Sequence, residues 1–525
     1  MKRRDILRAA ASIGGLVVLD KFGVASTRAS ATDSILDPKK DSRKPMSARS
    51  RQRLDELRPH LQGQMEKLVK STKTPGYVLG IIHGDDVLEL AHGAANVNTN
   101  APMLPETGFL LGSVSKILTT SLLMRFVERG QIDLDAPVVQ YLPEFKLADP
   151  KAHKQLTVRN LVNHTSGIDA DGWAPHFGRG DDAIARYVKE LAQFGLIHPI
   201  NEKFSYCNPG FIIAGRMLEI ITGETFDHLL KSEIYQKVGM INSTTSGDEA
   251  ILRSTAVGHF MDFKTGKNRA TRIFMLPHSM APAGSTPIVT VGDMLRFAFV
   301  HMNEGVAQDG TRVLSNDSVE AMRTQTVAAA TPNTYDIGLG WMMPQYGGQR
   351  LLWHGGGSFG GLSHFIVIPE EKFAFAAFGN GRGAGTMHDT FSRFLLEKYL
   401  GLPAPELIEP TKEKLTPKPY LGTYEHLMQR SIIEQKGKGL VLRSEFWFTS
   451  EKQRKMYEEY SGAISNIPPV PLVPLTKKLF LPQGGTPAMM QGIWSRSRAY
   501  TFLDLSSDSR YQYLHNYFRI SRRKS

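Results

Sequence analysis

Apolar residues recur at helical spacing at Leu54, Leu57, Leu61, Met65 and Leu68, which predicts a helix over 54–69. Two compact apolar runs follow, 77–82 and 87–91. Gly84-Asp85-Asp86 joins them, so they read as two strands and a turn. A longer apolar stretch opens at Ser113, runs through Ile117, Leu118, Leu122, Leu123 and Phe126 to about Arg129, and stops at Gly130, the pattern of a buried helix. A largely helical region extends from there to about Gly239; its strongest helix covers 211–222 and ends at Gly223. Strand patterns return near Trp353, at 363–368 and at 373–378. A helix over 386–399 then closes at Gly401. Strands, helices, strands and a helix in that order predict an α+β fold, with an antiparallel sheet where the two ends of the segment meet and a helical insert between them.

Two stretches interrupt this pattern. Residues 32–53 are polar and basic, and residues 402–419 hold five prolines among charges; both read as linkers. Beyond the second, short alternating segments at 422–425, 431–435, 440–443, 478–481, 500–505 and 511–520 are separated by Gly, Pro and Ser turns. They predict a small all-β unit over 420–525, a barrel. The main unit spans 54–401.

At the N-terminus, Lys2-Arg3-Arg4 precedes a short apolar stretch from Ala9 to Leu19, and Ala29-Ser30-Ala31 offers a small-residue cleavage site. The pattern over 1–31 resembles a twin-arginine export signal and predicts a periplasmic protein. Asp20 and Lys21 interrupt the apolar stretch, which is too short for an integral membrane span.

Composition narrows the chemistry. The chain has 525 residues, 41% of them hydrophobic and 22% charged, an ordinary globular balance. Its formal charge is +12; residues 1–31 hold six Lys/Arg against two Asp, so their removal leaves +8. That charge is dispersed and forms no basic stripe with aromatics, which argues against nucleic acid as a partner. Cys207 is the single cysteine, so an intrachain disulfide framework and a multi-cysteine metal site are excluded.

Against this background Ser113-Val114-Ser115-Lys116 acquires meaning. A serine and a lysine three positions apart share one helix face, so the amine can take part in deprotonating the hydroxyl without a catalytic histidine. Ser521-Arg522-Arg523-Lys524 fits the same spacing, but it lies in a polar tail with no apolar helix behind it. The first turn of the Ser113 helix also favours developing negative charge. Tyr206-Cys207-Asn208 places a phenol and an amide on alternate positions of an extended loop, facing one cleft. A neighbouring ammonium lowers a phenol's pKa, so Tyr206 reads as a general base or proton shuttle. Asn208 can donate to a substrate carbonyl and hold Lys116, and Cys207 between them reads as a buried filler. In His354-Gly355-Gly356-Gly357 the glycines let a strand approach a substrate, and the N–H groups of Gly357 and Ser113 can form an oxyanion hole. Asn163-His164-Thr165-Ser166-Gly167, Ala283-Gly284-Ser285 and Gly338-Leu339-Gly340-Trp341 are turn-rich landmarks between these motifs, with His164 a loop-locking hydrogen bonder.

Ser113-x-x-Lys116, Tyr206-x-Asn208 and His354-x-Gly356, in that order and with those landmarks, resemble the serine β-lactamase-like, penicillin-binding (class C-type) hydrolase family over 54–399. The tail from Tyr420-Leu421-Gly422-Thr423-Tyr424 resembles the lipocalin-like domain attached to several of its members. The resemblance implies a helical domain beside an antiparallel sheet flanked by helices. It implies Ser113 as acyl-accepting nucleophile, Lys116 and Tyr206 as proton-transfer pair, Asn208 as positioner, and Ser113 and Gly357 N–H groups as oxyanion hole, with no cofactor. Many members carry Lys-Thr-Gly at the third motif, where the cation binds a substrate carboxylate. His354 stands there instead, which disfavours a β-lactamase and favours peptidases specific for D-residues, esterases or small-peptide hydrolases. An enzyme cleaving linearised microcystin belongs to the same family, so unusual peptides enter as substrates.

Other readings fit less well. Gly355 to Gly360 satisfies G-x-G-x-x-G, and Gly356 to Gly360 satisfies G-x-S-x-G with Ser358 as nucleophile; both require a following helix, whereas 362–368 reads as a strand. His176-Phe177-Gly178 also fits H-x-G but precedes Tyr206 and leads into no strand. Metal hydrolysis lacks a ligand motif, since His354 and His364 stand alone. A non-catalytic cell-wall sensor on the same fold remains an alternative of another class.

Overall fold

The computed structural model describes residues 48–262, 265–448, 450–461 and 468–524. The export signal expected over 1–31 lies outside the described residues, as does most of the linker expected over 32–53. The last residues of that linker are helical: helix α1 spans Ala48–Thr72 and buries Leu54, Leu61 and Met65.

Eight antiparallel strands form the central sheet. Strands β1 (Gly76–His83), β2 (Asp86–Asn96) and β3 (Ala101–Pro102) come from the N-terminal part. Helices α2 (Ser115–Glu128), α3 (Asn208–Thr222) and α4 (Val291–Met302) lie in the long insert. Strands β4 (Asp336–Ile337), β5 (Met342–Met343), β6 (Leu352–Ser358), β7 (Gly361–Ile368) and β8 (Phe373–Gly379) complete the sheet, and helix α5 (Ala384–Arg393) follows. The order across the sheet is β3-β2-β1-β8-β7-β6-β5-β4, so the two ends of the segment pair at its centre, with Leu79 opposite Ala377 and Ile81 opposite Phe375.

Period-two alternation divides the core between the sheet's two faces. Val78, Ile82, Phe365 and Phe378 pack with Leu122, Leu295 and Phe297 from the helical insert. Leu79, Ile81, Ile366 and Phe375 pack with Leu61 and Met65 of α1 and Phe391 of α5. Both faces are covered, which is why β8 is buried along its whole length.

The C-terminal part is a closed antiparallel barrel of eight strands: β9 (Gly422–His426), β10 (Gln429–Lys436), β11 (Gly439–Phe446), β12 (Val470–Pro474), β13 (Leu479–Pro482), β14 (Tyr500–Leu505), β15 (Tyr511–Asn516) and β16 (Arg519–Arg523). Tyr424, Ile433, Leu442, Phe480, Phe502 and Leu514 fill it. The single strand expected over 511–520 is two strands, turning at Tyr517 and Phe518 with φ of 47° and 66°. Paired positive φ values suit the two-residue hairpin turns that match strand twist. Asparagine and glycine usually signal such turns, so an aromatic pair there is invisible to pattern reading. Among the described residues no helix is long and apolar enough to cross a membrane.

Candidate active site

Ser113 sits on a 3₁₀ turn, Gly112–Val114, immediately before α2 rather than within it. The short turn leads directly into the helix, so Lys116 still falls on the same side. Its Nζ donates to Ser113 Oγ at 3.2 Å and to the carbonyl of Ala283 at 2.7 Å. Asn208 is not among its hydrogen-bond partners: the Ala283-Gly284-Ser285 turn supplies the acceptor that Asn208 was expected to offer. Burial pushes the Lys116 pKa down to about 7; Asp171 partly opposes that fall and Arg519 adds to it. An amine so poised, within hydrogen-bond reach of a hydroxyl, can accept its proton near neutral pH.

Tyr206 precedes α3, whose first residue is Asn208. Its side chain lines the same cavity as Ser113, and Lys116 Nζ lies 5.0 Å from its ring centre. The expected lowering of its pKa is reversed. Burial raises it above the ordinary phenol value, and the Ser113 hydroxyl and the Arg519 charge only moderate the rise. Tyr206 therefore stays protonated, suited to relaying a proton rather than starting as phenolate. His164, at φ 62°, stacks on the Tyr206 ring at 4.4 Å, and its Nδ1 accepts from the Cys207 N–H at 2.9 Å, which fixes the loop. Cys207 is buried against Ser166, on the side away from the cleft.

Strand β6 forms the opposite wall. A Cβ on Gly356 would fall 2.3 Å from the Leu111 carbonyl and 3.2 Å from the Ser113 nitrogen, so only glycine lets this strand lie against the Ser113 turn. Gly357 follows at the cleft surface, and Ser363 Oγ ties β7 to the Leu111 carbonyl at 2.6 Å. His354 is buried; its Nδ1 contacts the Gly355 carbonyl at 2.7 Å, and its Nε2 has no hydrogen-bond partner among the described residues. Burial, reinforced by the Lys116 charge, holds its pKa down to about 3, so the ring is neutral across the physiological range. Ser358 lies in the β6–β7 hairpin, where its Oγ contacts the Gly361 carbonyl, with no helix after it.

A cavity of about 360 Å³ joins these groups. Ser113, Tyr206, Asn208, His354, Gly356 and Gly357 all line it, so the sequence-predicted residues converge except Lys116, which is buried behind Ser113. The rest of the wall comes from elsewhere: Met342 and Trp353 from the sheet, and Trp494, Tyr517, Phe518 and Arg519 from the C-terminal part. The β15–β16 turn is pinned there. The Phe518 carbonyl accepts from the Tyr206 N–H at 2.7 Å, and the Ile520 N–H donates to Ser205 Oγ at 3.2 Å. Arg519 lies over the Tyr206 ring, its Cζ 4.9 Å from the centre, and its Nε pairs with Asp171. The other Asp171 oxygen accepts from the Asn208 N–H at 2.6 Å. Pattern reading found neither Asp171 nor Arg519. The Ala283 carbonyl had a trace in the Ala-Gly-Ser landmark.

Comparison with known proteins places the chain in a family. The family model described as Beta-lactamase matches residues 61–397. Penicillin-binding protein 4 of Amycolatopsis lactamdurans is 33% identical over 371 residues, covering 70% of this chain and 97% of that protein. A D-aminopeptidase of Brucella anthropi is 29% identical over 64% of this chain, which spans 61% of that protein's length. The crystal structure of SurE superposes with a TM-score of 0.69 at 24% identity, covering 90% of this chain and all of that one, a likeness of fold.

Proposed function

The chain belongs to the beta-lactamase family of serine hydrolases, and we propose that it is an exported member that cleaves an amide bond in small peptides, D-residue or linearised cyclic ones, through an acyl-enzyme at Ser113. The observation that carries the reading is the contact of Lys116 Nζ with Ser113 Oγ at 3.2 Å, by an amine whose pKa is about 7.

In this mechanism neutral Lys116 takes the Ser113 proton as Oγ attacks the substrate carbonyl carbon. The N–H groups of Ser113 and Gly357 receive the developing oxyanion, and Asn208 orients the substrate. The C–N bond then breaks, and Tyr206 relays a proton to the departing amine. Water repeats the sequence in reverse roles and releases the acid. The neutral His354 and the aromatic wall of Trp353 and Trp494 favour an apolar peptide side chain. The D-aminopeptidase relative supports amide substrates of D-configuration. Export to the periplasm rests on the twin arginines Arg3-Arg4 and the Ala29-Ser30-Ala31 site.

A fluorophosphonate probe, followed by peptide mapping, tests the assignment together with a panel of D- and L-peptides, p-nitrophenyl esters and a chromogenic cephalosporin. The expected result is an adduct at Ser113 and peptide turnover that Ser113→Ala abolishes. Lys116→Ala and Tyr206→Phe each reduce turnover on the order of 10²-fold or more. Retained turnover in Ser113→Ala refutes the nucleophile. An unlabelled Ser113 with no turnover of any substrate favours a non-catalytic sensor.

A further inference from the structure

Among the described residues that line the cleft, Arg519 is the one permanent cation, and it comes from the barrel. His354 is neutral, and Lys116 is buried behind Ser113 near its own pKa. Arg519 opens strand β16 and reaches the cavity through the Tyr517-Phe518 turn. Its Nε pairs with Asp171, and its Nη1 donates to the Tyr517 carbonyl at 3.0 Å. A guanidinium has five N–H groups, so three remain without a hydrogen-bond partner among the described residues. The side chain keeps 31% of its surface exposed although its carboxylate partner keeps 11%. Asp171 in turn is shared with the Asn208 N–H at the start of α3, so the pair holds the guanidinium in place without saturating it.

Position then limits the ligand. Arg519 stacks on the Tyr206 ring, its Cζ 4.9 Å from the centre, and both side chains line the cavity into which Ser113 opens. Each extended residue advances a chain by at most ~3.5 Å, so a carboxylate one or two residues beyond the scissile carbonyl lies ~4–7 Å from that carbon. A planar guanidinium edge is matched to a carboxylate through two parallel hydrogen bonds. Trp494 and Phe518 beside it offer an apolar surface for the side chain of the same residue.

We propose that Arg519, delivered into the cleft by the barrel hairpin, binds the C-terminal carboxylate of the peptide substrate and so directs cleavage to its last one or two bonds. This rests on the reading of Ser113 as acyl acceptor. It assigns to the barrel a share of the substrate site.

The test compares an N-acylated D-residue tripeptide as free acid and as C-terminal amide, using the whole protein. Wild type is expected to prefer the acid in kcat/KM by on the order of 10- to 100-fold, the range for a hydrogen bond to a charged group. Arg519→Met brings the acid-to-amide ratio close to one, chiefly through KM for the acid, while Arg519→Lys restores part of it. A purely structural role for Arg519 lowers both substrates alike and leaves the ratio intact, which overturns the proposal. Equal rates on acid and amide by wild type overturn it as well. Arg519→Gln keeps a donor for Asp171 and gives the same ratio should the methionine variant not fold. Calorimetric binding of both peptides to Ser113→Ala supplies a readout without turnover: tighter binding of the acid supports the proposal, equal binding sinks it. Cleavage of both peptides at equal rates would overturn the proposal and leave the serine mechanism standing, whereas an unlabelled Ser113 would remove that mechanism and the proposal with it.

Discussion

Burial holds the Lys116 ammonium down to about pH 7, and two charges of opposite sign tune it from the far side of the cleft. Asp171 raises the value and Arg519 lowers it. In the proposed mechanism the amine is the base only when neutral, so activity is expected above the pKa and falls away below it. We expect kcat/KM for an uncharged substrate to fall about tenfold per pH unit below pH 7 and to level off above. Asp171→Asn removes the raising charge and should move this limb to lower pH; Arg519→Met should move it higher. Measured pH–rate profiles that do not move, or that move in the opposite senses, would exclude Lys116 as the titrating base. The Ser-x-x-Lys spacing made Ser113 and Lys116 legible in the sequence, because i and i+3 meet on any helical turn. The direction of the Tyr206 shift was not legible, since burial by residues distant in the chain outweighs the one neighbour that spacing could suggest.

Three elements meet at Ser113: the turn into α2, strand β6, and the Ala283-Gly284-Ser285 turn. Gly284 shows how tightly they fit. Its φ is 116°, and a Cβ there would lie 2.1 Å from the Gly112 carbonyl. Gly284→Ala should therefore cost about 1–3 kcal/mol of stability through backbone strain, and more as the turns move apart. Because the preceding carbonyl holds Lys116, the labelling rate of Ser113 should fall with the melting temperature. A variant that melts and labels like the parent would show that the turn does not position the lysine. Apolar periodicity located α2, α3 and strands β1, β7 and β8 to within about three residues, whereas α1 begins well before Leu54 and β2 runs well past Ala91. Expectation and structure part at 511–520, where continuous strand-forming residues concealed a turn. The Tyr-Phe corner is held by its contacts with Tyr206 and Ser205, which local propensity cannot register.

For the molecule as a whole, the barrel is joined to the sheet unit by buried polar contacts as well as apolar packing. Asp389 accepts from the Trp494 and Ser495 N–H groups at 2.7 and 3.0 Å, Asn333 bonds the Ala499 carbonyl at 2.9 Å, and Asp169 accepts from the Leu427 N–H at 2.8 Å. Ile493 enters the core beneath the sheet, and Leu427 and Met428 enter the core above it. A chain ending at Gly401 would uncover Trp353, Tyr335 and Asp389 and leave buried polar groups without partners, at about 1–3 kcal/mol each. We expect it to aggregate or to lose Ser113 labelling, as read by size-exclusion chromatography and the fluorophosphonate probe. A soluble, fully labelled fragment would show the barrel to be dispensable for the chemistry.

Local spacing specified the α+β order and the all-β tail, because periodicity acts over a few residues; the grouping of Ser113, Tyr206, Asn208, His354, Gly356 and Gly357 came from short motifs, each weak alone, whose order resembles a known family. The pKa near 7 at Lys116 comes chiefly from its burial beside Ser113 and Ala283, whereas the third wall of the cleft and the cation at Arg519 emerged from contacts between segments more than three hundred positions apart. Such contacts depend on how the barrel docks against the sheet unit. No pattern within either segment encodes which surface of one will meet the other.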